Sequence, residues 1–156
     1  MRDYWIRQAR PEDKDAITAL NDTAFGSRDE GRIVTQLASD GDSLTSLVAH
    51  NDREIVGHIQ FFRVLVDSAD TGSGLGPMSV KPDFQRKGIG SGLVCLGLTL
   101  MEGQGREICF VLGHPDYYPK FGFNAGLAAP FGAPWSGPAF MARTTGTNPP
   151  APGTLT

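Results

Sequence analysis

Residues 85 to 91 combine basic side chains with glycines just before an amphipathic segment, a pattern that suits phosphate binding. Their order is Gln85-Arg86-Lys87-Gly88-Ile89-Gly90-Ser91. We expect a helix to begin at Gly88, and the first amides of a helix lack intrahelical partners and lie at its positive end. Glycines also let the backbone approach an anion closely. The backbone amides of residues 86–91 are therefore predicted to bind a diphosphate, with the charges of Arg86 and Lys87 nearby.

Two common phosphate-binding motifs do not fit this loop. The dinucleotide fingerprint Gly-x-Gly-x-x-Gly fails because the glycines here are 88, 90 and 92. It also places its first glycine directly after a strand, whereas residues 81–87 separate Val80 from Gly88. The Walker pattern needs Gly-Lys followed by Ser or Thr, and the sequence has none. The alternative to a binding loop is an ordinary helix start whose glycines only make the backbone more flexible.

The elements that must position the loop alternate between strands and helices. Hydrophobic periodicity predicts strands over 4–9, 46–50, 55–66, 75–80 and 107–112. It predicts helices from Pro11 through Ala24, over 30–38 and from Gly88 to about residue 102, and a short helical or irregular piece over 116–121. In the third of these helices Ile89, Leu93, Leu96 and Leu100 are expected to form the buried face.

The connections between these elements predict the fold class. Asn51-Asp52 is a turn signal between the second and third strands, which favours a hairpin. The glycines of residues 72–76 are interpreted as a turn before the fourth strand. A strand–helix–strand unit over 75–112 implies two parallel neighbours. The class is α/β or α+β with a mixed sheet.

The composition is that of an ordinary globular domain. The chain has 156 residues and a net charge of −3, which disfavours nucleic acid as the main partner. No apolar run of 18 or more residues and no signal-peptide core is present, so we expect no membrane association and a cytoplasmic location. A single domain is predicted over 1–143. The stretch 144–156 has several prolines and glycines without periodicity and is expected to be poorly ordered.

The two cysteines, Cys95 and Cys109, both lie in apolar runs. We interpret them as reduced thiols of the core in a reducing compartment. Neither has the spacing of a metal site, so no metal cofactor is expected.

The segment from the fourth strand into the helix resembles the acetyl-CoA signature of the GNAT superfamily of N-acetyltransferases. The resemblance is carried by Val80, Pro82, Gln85, Gly88 and Gly90. Residues 24–30 and 112–118 are similar to its YhbS-like bacterial branch, and the whole resemblance covers about residues 4–143. It implies a mixed, mostly antiparallel sheet with flanking helices and acetyl-CoA as co-substrate. It places the coenzyme contacts at Met78, Ser79, Val80, Gln85, Arg86, Lys87, Gly88, Ile89, Gly90 and Ser91.

A second motif, Tyr118-x-x-x-Gly122-Phe123, resembles the closing motif of the same superfamily. In many members that tyrosine protonates the departing CoA thiolate, so the resemblance implies that Tyr118 is the catalytic acid. A ring that only packs beside the coenzyme is the alternative. Tyr117 is expected to face the core. Many relatives have an asparagine seven residues before the tyrosine, where this chain has Val111.

The group that takes the proton of the attacking amine is not assigned by the sequence. Glu30, His58 and His114 are candidates by residue type, and a chain of waters is another. A backbone amide near residues 78–80 is expected to hold the oxyanion. A covalent route through a cysteine is disfavoured, because both cysteines lie in apolar runs.

The resulting hypothesis is an acetyl-CoA-dependent N-acetyltransferase that moves an acetyl group to a primary amine by direct transfer in a ternary complex. The acceptor is a small-molecule or peptide amine, and both a monomer and a homodimer stay open. A non-catalytic acyl-CoA-binding module or sensor is the alternative. A third hypothesis is transfer of a longer acyl chain, or transfer to a hydroxyl. Under this third hypothesis, a wider pocket is lined by Phe131, Trp135 and Phe140. The alternative is that these residues pack on the sheet edge or form a dimer contact.

Overall fold

The computed structural model describes residues 4–25, 43–132 and 138–155. Within these ranges six strands form one sheet, in the order β1 to β6. The strands are β1 (Trp5–Gln8), β2 (Ser43–His50), β3 (Ile55–Val66), β4 (Ala69–Val80), β5 (Ile108–Leu112) and β6 (Phe140–Thr144). The helices are α1 (Lys14–Phe25), α2 (Ile89–Gly103) and the short α3 (Ala125–Ala128). The helix predicted over 30–38 lies outside the described residues.

The pairing of these strands confirms the mixed sheet. β1 and β2 pair antiparallel, as do β5 and β6. β4 and β5 pair in parallel from Gly72–Ile108 to Leu75–Val111. The parallel neighbours are those expected from the strand–helix–strand unit, since a helix is the usual connection between parallel strands.

The β2–β3 hairpin indicated by its turn residues is confirmed. The Asn51 side-chain oxygen accepts hydrogen bonds from the amides of Arg53 and Glu54 at 2.9 and 2.8 Å. This is the local turn that an asparagine side chain favours. β3 spans Ile55–Val66, the range predicted for it.

The turn predicted over 72–76 is wrong, because these glycines lie within β4. The strand begins at Ala69, and the turn before it is Asp67-Ser68, with φ of 48° and 69°. Short polar residues tolerate this left-handed backbone, which a two-residue hairpin turn requires. The glycines meet a packing need instead: a Cβ on Gly74 would overlap the ring of Phe62.

The buried face predicted for α2 is partly wrong. Leu96 is 37% exposed, whereas Leu98 and Met101 are buried. The cause is Gly97, where a Cβ would overlap the ring of Phe61. The helix turns this glycine toward the aromatic ring of β3, and Leu96 therefore lies to one side of the contact.

The chain forms two compact units, one of residues 1–61 and 77–97 and the other of 62–76 and 98–156. In the first unit Ile17 and Val48 are buried together. The second unit has a larger apolar cluster, formed by Val64, Val66, Ile108, Phe110, Ala128, Phe131, Phe140, Ala142 and Leu155. The single domain over 1–143 stays a prediction.

Residues 145–155 make defined contacts, where composition alone predicts poor order. The Thr145 hydroxyl donates to the Arg106 carbonyl at 2.6 Å. The backbones of Asp67 and Thr154 bond at 2.9 Å, and Leu155 is buried in the apolar cluster of the second unit. The segment bonds mainly to loops rather than along a strand, and it therefore leaves no periodicity in the sequence.

Candidate functional site

The loop between β4 and α2 is fixed to the end of β4 by a side chain. Pro82–Phe84 form a 3₁₀ turn, and the amide of Gln85 bonds to the Pro82 carbonyl at 3.3 Å. The side-chain amide of Gln85 then donates to the carbonyl of Val80 at 3.0 Å. The side chain of Gln85 therefore anchors the loop to the strand that precedes it.

The backbone of residues 86–91 contains two left-handed residues. Arg86 and Gly88 are left-handed, with φ of 64° and 87°. Alternation of right- and left-handed residues turns neighbouring amides toward one side, where they form a concavity that binds anions. The Gly92 amide bonds to the Gly88 carbonyl at 3.0 Å. The amides of 89–91 precede that helical hydrogen bond, so the helix offers them no acceptor.

Glycine is favoured at position 88 by its backbone angle and not by lack of space. No atom lies within 4 Å of a Cβ built on Gly88. Arg86 holds a similar angle with a full side chain, which costs about 1–2 kcal/mol. Backbone strain of this kind is concentrated at functional sites.

Two cations lie beside these amides. Arg86 and Lys87 are both exposed. The Lys87 ammonium lies 5.6 Å from the centroid of the Phe84 ring. Together with the helix dipole, these charges favour an anionic ligand.

A side chain from the first strand region also supports the loop, and sequence reasoning missed it. The Tyr4 hydroxyl donates to the Gly88 carbonyl at 3.3 Å. That hydroxyl and Ile6 both approach Gly92, where a Cβ would lie 3.3 and 3.2 Å from them. The loop has no local sequence signal for this support, because Tyr4 and Gly88 are 84 positions apart.

The last residues of β4 lead directly into the loop. β4 continues to Val80, beyond its last parallel pair at Leu75. The Lys81 amide donates to the Val56 carbonyl of β3 at 2.8 Å. Peptide groups along a strand alternate in direction, so those of Met78 and Val80 point to the edge away from β3.

A buried polar network lies behind this part of β4. The Ser79 hydroxyl donates to the side-chain oxygen of Asn21 on α1 at 2.7 Å. The Asn21 side-chain nitrogen lies 3.2 Å from Nδ1 of His58, and Nε2 of His58 lies 2.9 Å from the Ser46 hydroxyl. Asn21 and His58 have no exposed surface. Neither Asn21 nor Ser46 stands out in the sequence.

The closing motif in the second unit forms a compact aromatic turn. Tyr118–Phe121 is a 3₁₀ helix, and Gly122 ends it with a left-handed φ of 92°. The Tyr118 ring packs against Phe123 at 5.8 Å between centroids, and a Cβ on Gly113 would overlap it. Gly113 therefore makes room for this ring, and Gly122 ends the turn.

The sequence predicts that Tyr117 faces the core, and the structure buries Tyr118 instead. Tyr118 is buried, whereas Tyr117 is partly exposed and has the Lys120 ammonium 4.0 Å from its ring centroid. Burial, with smaller contributions from Tyr117 and Cys109, raises the pKa of Tyr118 to about 12. The phenol therefore carries its proton at neutral pH, as a proton donor must.

The candidate bases differ in their surroundings. Glu30 lies outside the described residues, and His114 is exposed. Burial lowers the pKa of His58 to about 4, so its ring is neutral at physiological pH.

Among the described residues, no group of three or more His, Cys, Asp and Glu side chains is arranged to hold a metal ion.

One of the two cysteines is not in the core, which corrects that prediction. Cys95 is exposed on α2, while Cys109 is buried in β5. Burial raises the pKa of the Cys109 thiol to about 12, so it is a poor nucleophile. The α2 surface turns Cys95 outward because its neighbours Val94 and Leu98 form the buried side of the helix.

Two of the aromatic residues considered for a wide acyl pocket belong to the core of the second unit. Phe131 and Phe140 are buried, with ring centroids 5.0 and 5.8 Å from that of Phe110. Trp135 lies outside the described residues.

Of the helices that the structure describes, none has the length and apolar character that a membrane crossing requires.

Comparison with known proteins gives the family. The family model of the acetyltransferase (GNAT) domain matches residues 42–125, which include the loop and the closing motif. The chain belongs to the GNAT family of acetyltransferases. This acetyltransferase is 33% identical to the uncharacterized N-acetyltransferase YjhQ of Escherichia coli K12, over 78% of its own length and 73% of the relative.

Solved structures of GNAT acetyltransferases have the same fold. The Escherichia coli GNAT N-acetyltransferase YhbS, in complex with CoA, matches with a TM-score of 0.88 and 28% identity, covering 97% of this chain and 88% of that one. A GNAT acetyltransferase from Brucella melitensis, in complex with acetyl-CoA, matches with a TM-score of 0.83 and 34% identity, covering 97% and 94%. The chain is therefore an acyltransferase with the GNAT fold.

Proposed function

We propose that this acetyltransferase uses acetyl-CoA to acetylate a primary amine by direct transfer within a ternary complex. The observation that carries the proposal is the run of amides over 86–91, shaped by the left-handed Arg86 and Gly88. A diphosphate fits this concavity, with Arg86 and Lys87 beside it. The complexes of the two similar enzymes with CoA and acetyl-CoA support the same ligand here.

The end of β4 is the proposed site of the pantetheine arm. The peptide groups of Met78 and Val80 point away from β3, and the Val80 carbonyl already accepts from Gln85. The amide and carbonyl of Met78 remain for the amide groups of pantetheine, which pair with them as an added strand does. An amide of this segment also holds the oxyanion that forms at the acetyl carbonyl.

The reaction needs one proton donor and one proton acceptor. The amine nitrogen attacks the thioester carbonyl and forms the C–N bond, and the C–S bond then breaks. Tyr118 gives its proton to the departing thiolate, and a phenol is protonated at neutral pH even at its ordinary pKa of about 10. The amine releases its own proton to water, and the tyrosinate recovers a proton from solvent.

The acceptor is a primary amine, from a small molecule or a peptide. The net charge of −3 favours a cationic amine. The two thiols fit a reducing compartment, and we place the enzyme in the cytoplasm on that ground. Assembly into a homodimer stays a prediction.

Calorimetry with CoA tests the phosphate loop directly. We expect wild-type protein to bind CoA and Gly88→Val to bind it at least about tenfold more weakly, because valine disfavours the left-handed angle that the loop needs. Gly105→Val is the matched control, since Gly105 has a φ of 77° and equal space but lies outside the loop. Unchanged CoA binding by Gly88→Val, or no binding by wild type, would contradict the proposal.

A thiol-release assay tests the chemistry. Wild-type enzyme with acetyl-CoA and a pool of primary amines is expected to release CoA thiol faster than without amines. Mass spectrometry of the pool then identifies the acetylated acceptor. Binding of CoA without amine-dependent thiol release would support a binding module instead.

A further inference from the structure

The buried hydrogen bonds behind β4 have one consistent direction. The Asn21 side-chain nitrogen donates to the Ile17 carbonyl at 3.2 Å, and the Asn21 oxygen accepts from Ser79. The reversed amide would set two oxygen acceptors, those of Asn21 and Ile17, against each other. The amide orientation is thus fixed by its neighbours, and its second N–H is directed at His58.

This orientation fixes the tautomer of His58. Nδ1 accepts the N–H of Asn21, so in the neutral ring the proton is on Nε2, which donates to the Ser46 hydroxyl at 2.9 Å. Both ring nitrogens are then in use, as burial of an imidazole requires. A proton arriving from Ser46 would meet a nitrogen that already carries one. The geometry therefore argues against His58 as the base that the sequence left open.

We propose that Ser79, Asn21 and His58 are positioning residues that hold the Met78–Val80 segment in place for the pantetheine arm, and the inference rests on the proposed function. Ser79 is the only member of the three that lies on this segment, and its buried hydroxyl ties β4 to α1. Through His58 the same network reaches β3, and through Ser46 it reaches β2. Three elements of the first unit thus fix one strand end.

The expected effect is on coenzyme binding and on the oxyanion-holding amide of the same segment. Loss of the Ser79 hydroxyl leaves the buried Asn21 oxygen without its donor, and the strand end then moves or admits water to satisfy it. Movement of the Met78 peptide weakens its pairing with pantetheine. Tyr118 makes no contact with Ser79, Asn21 or His58 in this network, so its side chain is not the target of the substitution.

A pair of buried serines on the same strand allows a matched test. Ser79→Ala removes a hydroxyl that belongs to the network, and Ser73→Ala removes one that donates to the Ile108 carbonyl at 3.3 Å. We expect Ser79→Ala to raise the KM for acetyl-CoA and the Kd for CoA about tenfold. The kcat should fall as well, because the same segment is proposed to hold the oxyanion. Ser73→Ala should keep both the KM and the Kd near wild type.

Nitrogen NMR of the free wild-type protein gives a second, independent readout. The ¹⁵N shifts of His58 should report the Nε2–H tautomer, and Asn21→Asp should change them, because a carboxylate cannot donate to Nδ1. The Nδ1–H tautomer in wild type, or equal KM values for Ser79→Ala and Ser73→Ala, would overturn the inference. If wild type binds no CoA, the proposed function fails and takes the positioning role with it. Unchanged CoA binding by Ser79→Ala defeats the positioning role alone.

Discussion

Burial holds two ionisable side chains, Tyr118 and His58, in their neutral forms. The pKa of Tyr118 is raised to about 12 and that of His58 is lowered to about 4, mainly because each charged form is poorly solvated. The chemical consequence differs between them. A neutral phenol still has a proton to give, whereas a neutral imidazole with both nitrogens in hydrogen bonds has no site left to accept one.

Tyr118→Phe isolates the proton donor. We expect thiol release to slow about 100-fold or more, because the thiolate then leaves without general acid assistance. The Kd for CoA by calorimetry should stay near wild type. Tyr117→Phe is the control, since Tyr117 is partly exposed and is not proposed to donate a proton. An unchanged rate for Tyr118→Phe would mean that the ring only packs.

His58 makes the stability depend on pH in a defined window. Its folded pKa of about 4 lies below the ordinary 6.5, so between these values the unfolded chain binds more protons. The contribution of His58 to the free energy of unfolding should thus fall as pH decreases from 6.5 to 4. Above pH 6.5 this contribution should be constant. The difference corresponds to about 3 kcal/mol, at about 1.4 kcal/mol for each pH unit.

Urea unfolding at a series of pH values checks this expectation. The curve for His58→Gln should lack the contribution that wild type loses between pH 6.5 and 4. His114→Gln should follow wild type, because His114 is exposed. If wild type and His58→Gln lose stability in parallel over this window, the histidine is not buried as a neutral ring.

At the scale of elements, glycines of α2 and β4 make room for aromatic rings of β3. Gly97 of α2 faces the ring of Phe61 on β3, and Gly74 of β4 lies under the ring of Phe62. In the sequence a glycine is equally consistent with a turn, a helix breaker or a packing site. Only the aromatic ring across from it distinguishes these roles.

Gly97→Ala should destabilise the protein although alanine is the better helix former. The added methyl overlaps the Phe61 ring, and overpacking of this kind costs about 1–3 kcal/mol. Gly103→Ala is the control on the same helix, since no atom lies within 4 Å of its Cβ position. Thermal unfolding should show a lower Tm for Gly97→Ala and an equal or higher Tm for Gly103→Ala. A Gly97→Ala protein as stable as wild type would contradict the close packing.

At the scale of the whole molecule, the last residues contribute to the core of the second unit. Leu155 is buried in the apolar cluster, whereas Pro152 is exposed. We expect Leu155→Ala to lower the free energy of unfolding by about 2 kcal/mol or more, and Pro152→Ala to leave it unchanged. Urea denaturation measures both. Equal stability of the two variants would favour the disordered tail that composition predicts.

Some element boundaries can be predicted from the sequence and others cannot, depending on how clear the local sequence pattern is. The predicted bounds of β3 and α2 agree with the structure within a residue or two, because their periodic patterns are long and their boundaries carry turn or glycine signals. The start of β4 is not predicted, because Asp67-Ser68 is an unusual pair for a left-handed turn and glycines fill the strand after it. Leu96 is misplaced because one helical position shifts a side chain by about 100° around the axis.

By itself the sequence determined where the loop between β4 and α2 lies and predicted that it binds a phosphate, since glycines, basic residues and a helix start stand within a few neighbouring residues. Tertiary structure alone decided the hydrogen bond from Ser79 to Asn21, across 58 positions, and that from Asn21 to His58, across 37. A buried polar side chain has no periodic signature, because its partner depends on which strands and helices become neighbours. The same holds for Leu155, whose burial depends on a cluster assembled from distant segments of the chain.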